Sequence, residues 1–189
     1  MKLKRINAVL ALLAILAMIL HIGYNIFSYL TMYYNPVLKQ MTAFPFIILT
    51  CIHAVLGMCS VFLLKDGTRL DMYTVQNWQT VVQRFSAALI FPLLLIHLKT
   101  FSYLKDFSER RNWPIFALVI LIQIMFYAFV ISHAAVSFPK SLITLGILAS
   151  KESLKIVERI SFLIGGVLFI VAVYAVIRGE MIMFVLSQG

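Results

Sequence analysis

The sequence predicts an all-α membrane protein, a single bundle of five transmembrane helices, and three observations carry that expectation. Of 189 residues, 62% are hydrophobic and 12% charged, which is too apolar for a soluble domain of this length. Five runs have the ~20 mostly apolar residues needed to cross the hydrocarbon layer. The carboxylates Asp66, Asp71, Asp106, Glu109, Glu152, Glu158 and Glu180 all fall between those runs or at their ends, so no helix interior is expected to hold one.

The first run extends from Ile6 to Leu30. Its basic start, Lys2, Lys4 and Arg5, has the character of a signal peptide, but the apolar residues continue past His21 with no small-residue cleavage site. It therefore reads as a helix. The second, Lys39 to Leu64, holds both cysteines, Cys51 and Cys59, whose spacing fits neither a metal motif nor haem attachment and leaves packing as their role. The third, Val81 to Leu104, contains Pro92 five residues before His97, where a kink would aim that histidine. The fourth runs from Pro114 to Phe138, and the fifth, Ile160 to Ile177, carries a Gly165-Gly166 pair suited to close helix approach.

Five spans place the termini on opposite sides. Ten of the 16 Lys and Arg then fall on the N-terminal side, which predicts a multi-pass protein of the cytoplasmic membrane with its N-terminus inside. This basic face accounts for most of the +9 net charge, so nucleic-acid binding is not needed to explain it. Its residues Arg69, Tyr73 and Trp78 offer a docking surface for soluble subunits, or are simply the positive inner face of any membrane protein.

All four histidines, His21, His53, His97 and His133, lie in apolar runs, one in each of the first four. Intramembrane ionisable side chains are costly and tend to face the bundle interior with a function. At ~1.5 Å per residue, His21 and His97 stand about 22 and 24 Å from the inner ends of their helices. His53 and His133 stand about 21 and 28 Å from the outer ends of theirs. Two levels result, and neutral imidazole is a good iron ligand that can be buried uncharged. The reading is two b-type haems held within the first four helices, an outer one on His21 and His97 and an inner one on His53 and His133. The fifth helix would pack outside. Packing histidines in a haem-free bundle, or two weakly ligated metals, are the competing readings. Arg84 is a candidate for an inner propionate and Lys99 for an outer one, with interfacial anchoring and snorkelling as the plain alternatives. Tyr24, Asn25 and Lys99 are candidates beside an outer redox partner, an aromatic belt explaining the tyrosine equally well. Ser86, Ala87 and Ala88 are small enough to leave room for a porphyrin face.

The segment Asn77-Trp78, Gln83-Arg84-Phe85-Ser86 and His97-Leu98 resembles the third-helix region of succinate dehydrogenase and fumarate reductase cytochrome b subunits. His53-Ala54-Val55-Leu56-Gly57 resembles their second-helix ligand region. His133 with Leu145-Gly146-Ile147-Leu148-Ala149-Ser150-Lys151 and Ser153 is similar to the fourth-helix ligand and the loop after it, and His21 with Asn25 is similar to the first-helix pattern. Leu145 stands where that family has tryptophan, and Ala87 where it commonly has glycine. The resemblance implies a five-helix, di-haem membrane anchor exchanging electrons with quinone or menaquinone. It also implies an iron-sulfur subunit and a flavoprotein subunit on the cytoplasmic face, where succinate and fumarate are interconverted. The alternatives are a b-type cytochrome of another membrane dehydrogenase, such as a hydrogenase or formate enzyme, and a haem-free transporter or scaffold.

Overall fold

Backbone amides in hydrocarbon must be satisfied within their own segment, so each apolar run becomes a helix and continues until water or a cap replaces the missing bonds. The computed structural model describes residues 2–64 and 74–186. Among these are five α-helices and no strand: α1 (Lys2–Thr31), α2 (Pro36–Leu64), α3 (Thr74–Arg110), α4 (Trp113–Leu145) and α5 (Lys151–Phe184). All five are long and apolar enough to span a bilayer, and the chain is a multi-pass membrane protein. At 1.5 Å per residue they measure about 44 to 56 Å against ~30 Å of hydrocarbon, so their ends extend beyond it or the helices tilt. Asp106 and Glu109 accordingly lie within α3, paired at i,i+4 with Arg110 (2.9 Å) and Lys105 (3.8 Å). Arg69 and Tyr73 of the expected docking face lie outside the described residues, whereas Trp78 is exposed near the start of α3.

Among the described residues, the α1–α2, α3–α4 and α4–α5 connections are short, and each of the helices they lead into opens on a capping side chain. Asn35 accepts hydrogen bonds from Val37 and Leu38 to open α2, and Asn112 and Ser150 do the same for α4 and α5. Gly146, at φ 79°, closes α4 in the left-handed conformation that a side chain would strain. Successive helices alternate in direction. The near end of the bundle holds the starts of α1, α3 and α5; the far end holds the starts of α2 and α4.

Lipid gives helices no hydrophobic reason to associate, so small residues and interhelical hydrogen bonds take that role. α1 buries Ala8, Ala11, Ala14 and Ala17. α4 is the most buried helix and packs on α1, α3 and α5, its Phe126, Val130, Ile131 and Ala134 meeting Met18 and Ile22 of α1 and Ala172 of α5. Pro92 lies within an uninterrupted α3, and Pro139 within α4. Proline at 139 removes the amide that would bond Ala135 O, and Ser161 Oγ of α5 donates to that carbonyl instead, at 2.9 Å. Of the glycine pair, Gly165 packs, a Cβ there meeting Ile131 at 3.2 Å, and Gly166 faces open space.

The fifth helix is not peripheral, contrary to the expectation from its lack of histidine. It packs on α4 and α1, while α2 runs along α1 and has no comparable backbone contact with α3, α4 or α5 among the described residues. A histidine count carries no information about which helix faces face each other.

Two substitutions in α5 check this packing. Gly179→Val would set its Cβ 2.1 Å from Tyr29 Cδ1 of α1, and should cost about 1–3 kcal/mol by overpacking. Gly166→Val should leave the thermal midpoint in detergent, followed by circular dichroism, close to that of the parent.

Candidate functional site

An imidazole in an apolar helix has only the bundle to bond with. All four histidines are half-buried, and the structure gathers them into two couples at different levels. Toward the near end, the rings of His53 (α2) and His133 (α4) lie 6.3 Å apart, centroid to centroid. Toward the far end, His21 (α1) and His97 (α3) line one cavity.

In the near couple, His133 Nδ1 donates to the backbone carbonyl of Gln83 at 3.0 Å, with Ser86 Oγ 3.2 Å away. A carbonyl only accepts, so Nδ1 carries the proton and Nε2 keeps its lone pair. His53 Nδ1 has no partner among the described residues. Half-buried Arg84 follows Gln83, and Lys140 Nζ donates to Gln83 Oε1 (3.1 Å) and Thr80 Oγ1 (3.2 Å). Lys140 thus stands beside this couple, bonded to the residue whose carbonyl holds His133. Lys140 escaped the sequence reading because a lysine just past the fourth run looks like an interfacial anchor. Of the small residues Ser86, Ala87 and Ala88, Ser86 is buried against His133 and Ala88 is exposed.

The far cavity, about 160 Å³, is walled by all five helices. His21 Nδ1 is 3.4 Å from Thr42 Oγ1, its Nε2 is 3.1 Å from Asn25 Nδ2, and its ring stacks on Phe46 of α2. His97 Nδ1 is 2.7 Å from Gln123 Oε1, and its ring stacks on Phe126 at 4.8 Å. Lys39 lines the cavity from α2, with Nζ 4.8 Å from the centre of the Phe101 ring.

Three sequence-based assignments change here. Lys99 is exposed and does not line the cavity, because two residues beyond His97 is about 200° around a helix; the cation that reaches it is Lys39. Tyr24 is committed to the α1–α2 turn, where its hydroxyl donates to Asn35 O and accepts from Asn35 N, each at 2.8 Å. Asn25 does line the cavity. Third, a helix interior does contain a buried carboxylate. Glu180 is 1% exposed and lines the cavity from α5, which continues past the expected end at Ile177.

Glu180 is brought inside by its neighbours. A side chain at Gly179 would collide with Tyr29, so glycine admits the phenol, whose hydroxyl donates to Glu180 Oε1 at 2.9 Å. Arg178 Nη1 donates to the last carbonyls of α1, Tyr29 O (3.3 Å) and Leu30 O (2.9 Å). Glu180 Oε2 has no partner among the described residues. Arg-Gly-Glu near the end of a hydrophobic run was the available signal. In sequence it is indistinguishable from the end of a span, where charges meet the headgroups.

No three His, Cys, Asp or Glu side chains converge on a common point among the described residues, so each couple offers two imidazoles and no further ligand of those types. No protein-family model, curated protein or solved structure matches the chain.

Removing the phenol hydroxyl tests the far-end arrangement. Tyr29→Phe leaves both oxygens of a buried carboxylate unpartnered and should destabilise the protein by about 1–3 kcal/mol in a detergent unfolding assay. Adding Glu180→Leu to that variant should recover part of the loss.

Proposed function

We propose that the chain is a di-haem cytochrome b, the membrane-anchor and electron-transfer subunit of a succinate:quinone or quinol:fumarate oxidoreductase. The observation that carries this reading is the pairing of four membrane-embedded imidazoles into two couples on different helices at two depths. The donor set fits a haem better than a bare ion. Two imidazoles are too few to hold a lone metal firmly, but would serve where a macrocycle supplied the remaining ligands.

Geometry supports the near couple most directly. His53 and His133, on different helices with ring centroids 6.3 Å apart, are the residues that would hold the inner haem. A proton held on His133 Nδ1 by Gln83 O leaves Nε2 as the ligand atom, the usual outer-sphere arrangement for a metal-binding histidine. Arg84 and Lys140 supply positive charge for propionates. In the far couple, Asn25 must release His21 Nε2, and the cavity is smaller than the ~300–1,000 Å³ typical of ligand sites. The wall able to give is α2, whose backbone among the described residues packs chiefly along α1. Lys39 takes the propionate role expected of Lys99.

Bound haem supplies a one-electron carrier whose potential follows from its ligands, burial and nearby charge. Two levels of imidazole therefore suit electron passage between quinone or menaquinone and iron-sulfur and flavoprotein subunits on the cytoplasmic side. Buried Glu180, with Oε2 unpartnered, is the carboxylate in the far cavity able to take up a proton as a quinol is oxidised there.

A reduced-minus-oxidised absorption spectrum of the purified chain decides the matter. Two haems per polypeptide are expected, and His53→Ala should remove one while His97→Ala removes the other. A colourless wild-type preparation from haem-replete cells would refute the proposal. Co-purification of iron-sulfur and flavin subunits with fumarate-reducing activity separates this subunit from a cytochrome of another dehydrogenase.

A further inference from the structure

A chain of hydrogen bonds runs behind His97, from the Ile96 carbonyl through Thr100 and Gln123 to the ring. Thr100 Oγ1 donates to Ile96 O, a carbonyl that can only accept, at 3.4 Å. Thr100 Oγ1 in turn accepts from Gln123 Nε2. That orients the Gln123 amide, which could otherwise point either way, and turns Oε1 toward His97 Nδ1 at 2.7 Å. An amide oxygen accepts, so His97 carries its proton on Nδ1 and presents a bare Nε2.

The surroundings leave little freedom. Gln123 is 1% and Thr100 4% exposed. Gln123, Phe126 and Tyr127 occupy one face of α4 at i, i+3 and i+4, the amide holding the edge of the His97 ring while Phe126 stacks on its plane. Gln123 is the single amide side chain in α4, where burial without partners would be costly.

We infer that Gln123 is a positioning residue that fixes the tautomer and ring orientation of His97, delivering an unprotonated Nε2 to the far cavity. The inference rests on the haem reading for its consequence, because an acceptor on Nδ1–H makes the opposite nitrogen a stronger donor to iron and favours the oxidised state. Simple interhelical bonding by Gln123 would affect stability but neither the tautomer nor a potential.

The test is a redox titration of the full-length chain in membranes. Gln123→Glu keeps an acceptor and strengthens it, and should shift one of the two midpoint potentials downward. Gln123→Leu removes the acceptor and should shift the same potential upward, the other haem holding its wild-type value. Unchanged potentials in both variants, with both haems present, would overturn the role of Gln123 and leave the haem reading standing. Should the Leu variant fail to accumulate or lose that haem, the shift in the Glu variant decides. If the wild-type chain carries no haem, the underlying reading has failed, and the tautomer is read directly by ¹⁵N NMR of histidine-labelled protein, with His97→Ala giving the assignment. The Nδ1–H form of His97 is expected in the wild type and its loss in Gln123→Leu; the same tautomer in both would reject the inference.

Discussion

A polar group inside this bundle has no water to fall back on, and most of the tertiary structure can be read as the consequence. Backbone amides satisfy themselves by forming helices. What remains, a carbonyl freed by proline or the edge of an imidazole, has to be answered from a neighbouring helix. Ser161 answers Ala135 O across the α4–α5 contact, Gln123 answers His97, and the Gln83 carbonyl answers His133. These bonds connect helices that lipid alone would leave indifferent to one another.

Close approach makes such bonds reachable. The alanine stripe of α1, Gly165 against Ile131 and Gly179 against Tyr29 bring backbones near enough for short side chains to bridge them. Gly179 shows the coupling between packing and chemistry. Because position 179 has no side chain, the Tyr29 phenol fits between the helices, and because the phenol is there, Glu180 can be buried with one oxygen bonded. Arg178 on the same turn closes the end of α1. Three consecutive residues thus join the last helix to the first and put a carboxylate on the wall of the cavity that His21 and His97 also line.

Uneven packing distributes the remaining freedom. α4 is gripped by α1, α3 and α5, whereas α2 lies along α1 and reaches the other helices through side chains such as His53, Phe46 and Lys39. Both histidine couples involve ring contacts from this outlying helix, His53 directly and Phe46 against His21.

The sequence by itself determined that there are five membrane-spanning helices, roughly where each begins, and that the histidines divide into two levels. These properties are axial: run length and the rise per residue convert directly into depth, with no knowledge of neighbours. Only the tertiary structure decided what is lateral. It set α5 against the far cavity and α2 to the side, exchanged Lys99 for Lys39, committed Tyr24 to a turn, and revealed Gln123, Lys140 and Glu180 as neighbours of the couples. Which way a side chain faces depends on the rotation of its helix against others, and that is settled by packing among residues far apart in the chain. For Glu180 even the burial is not legible in sequence, since a carboxylate near the end of an apolar run looks solvated until a glycine beside it is seen to admit a tyrosine from another helix.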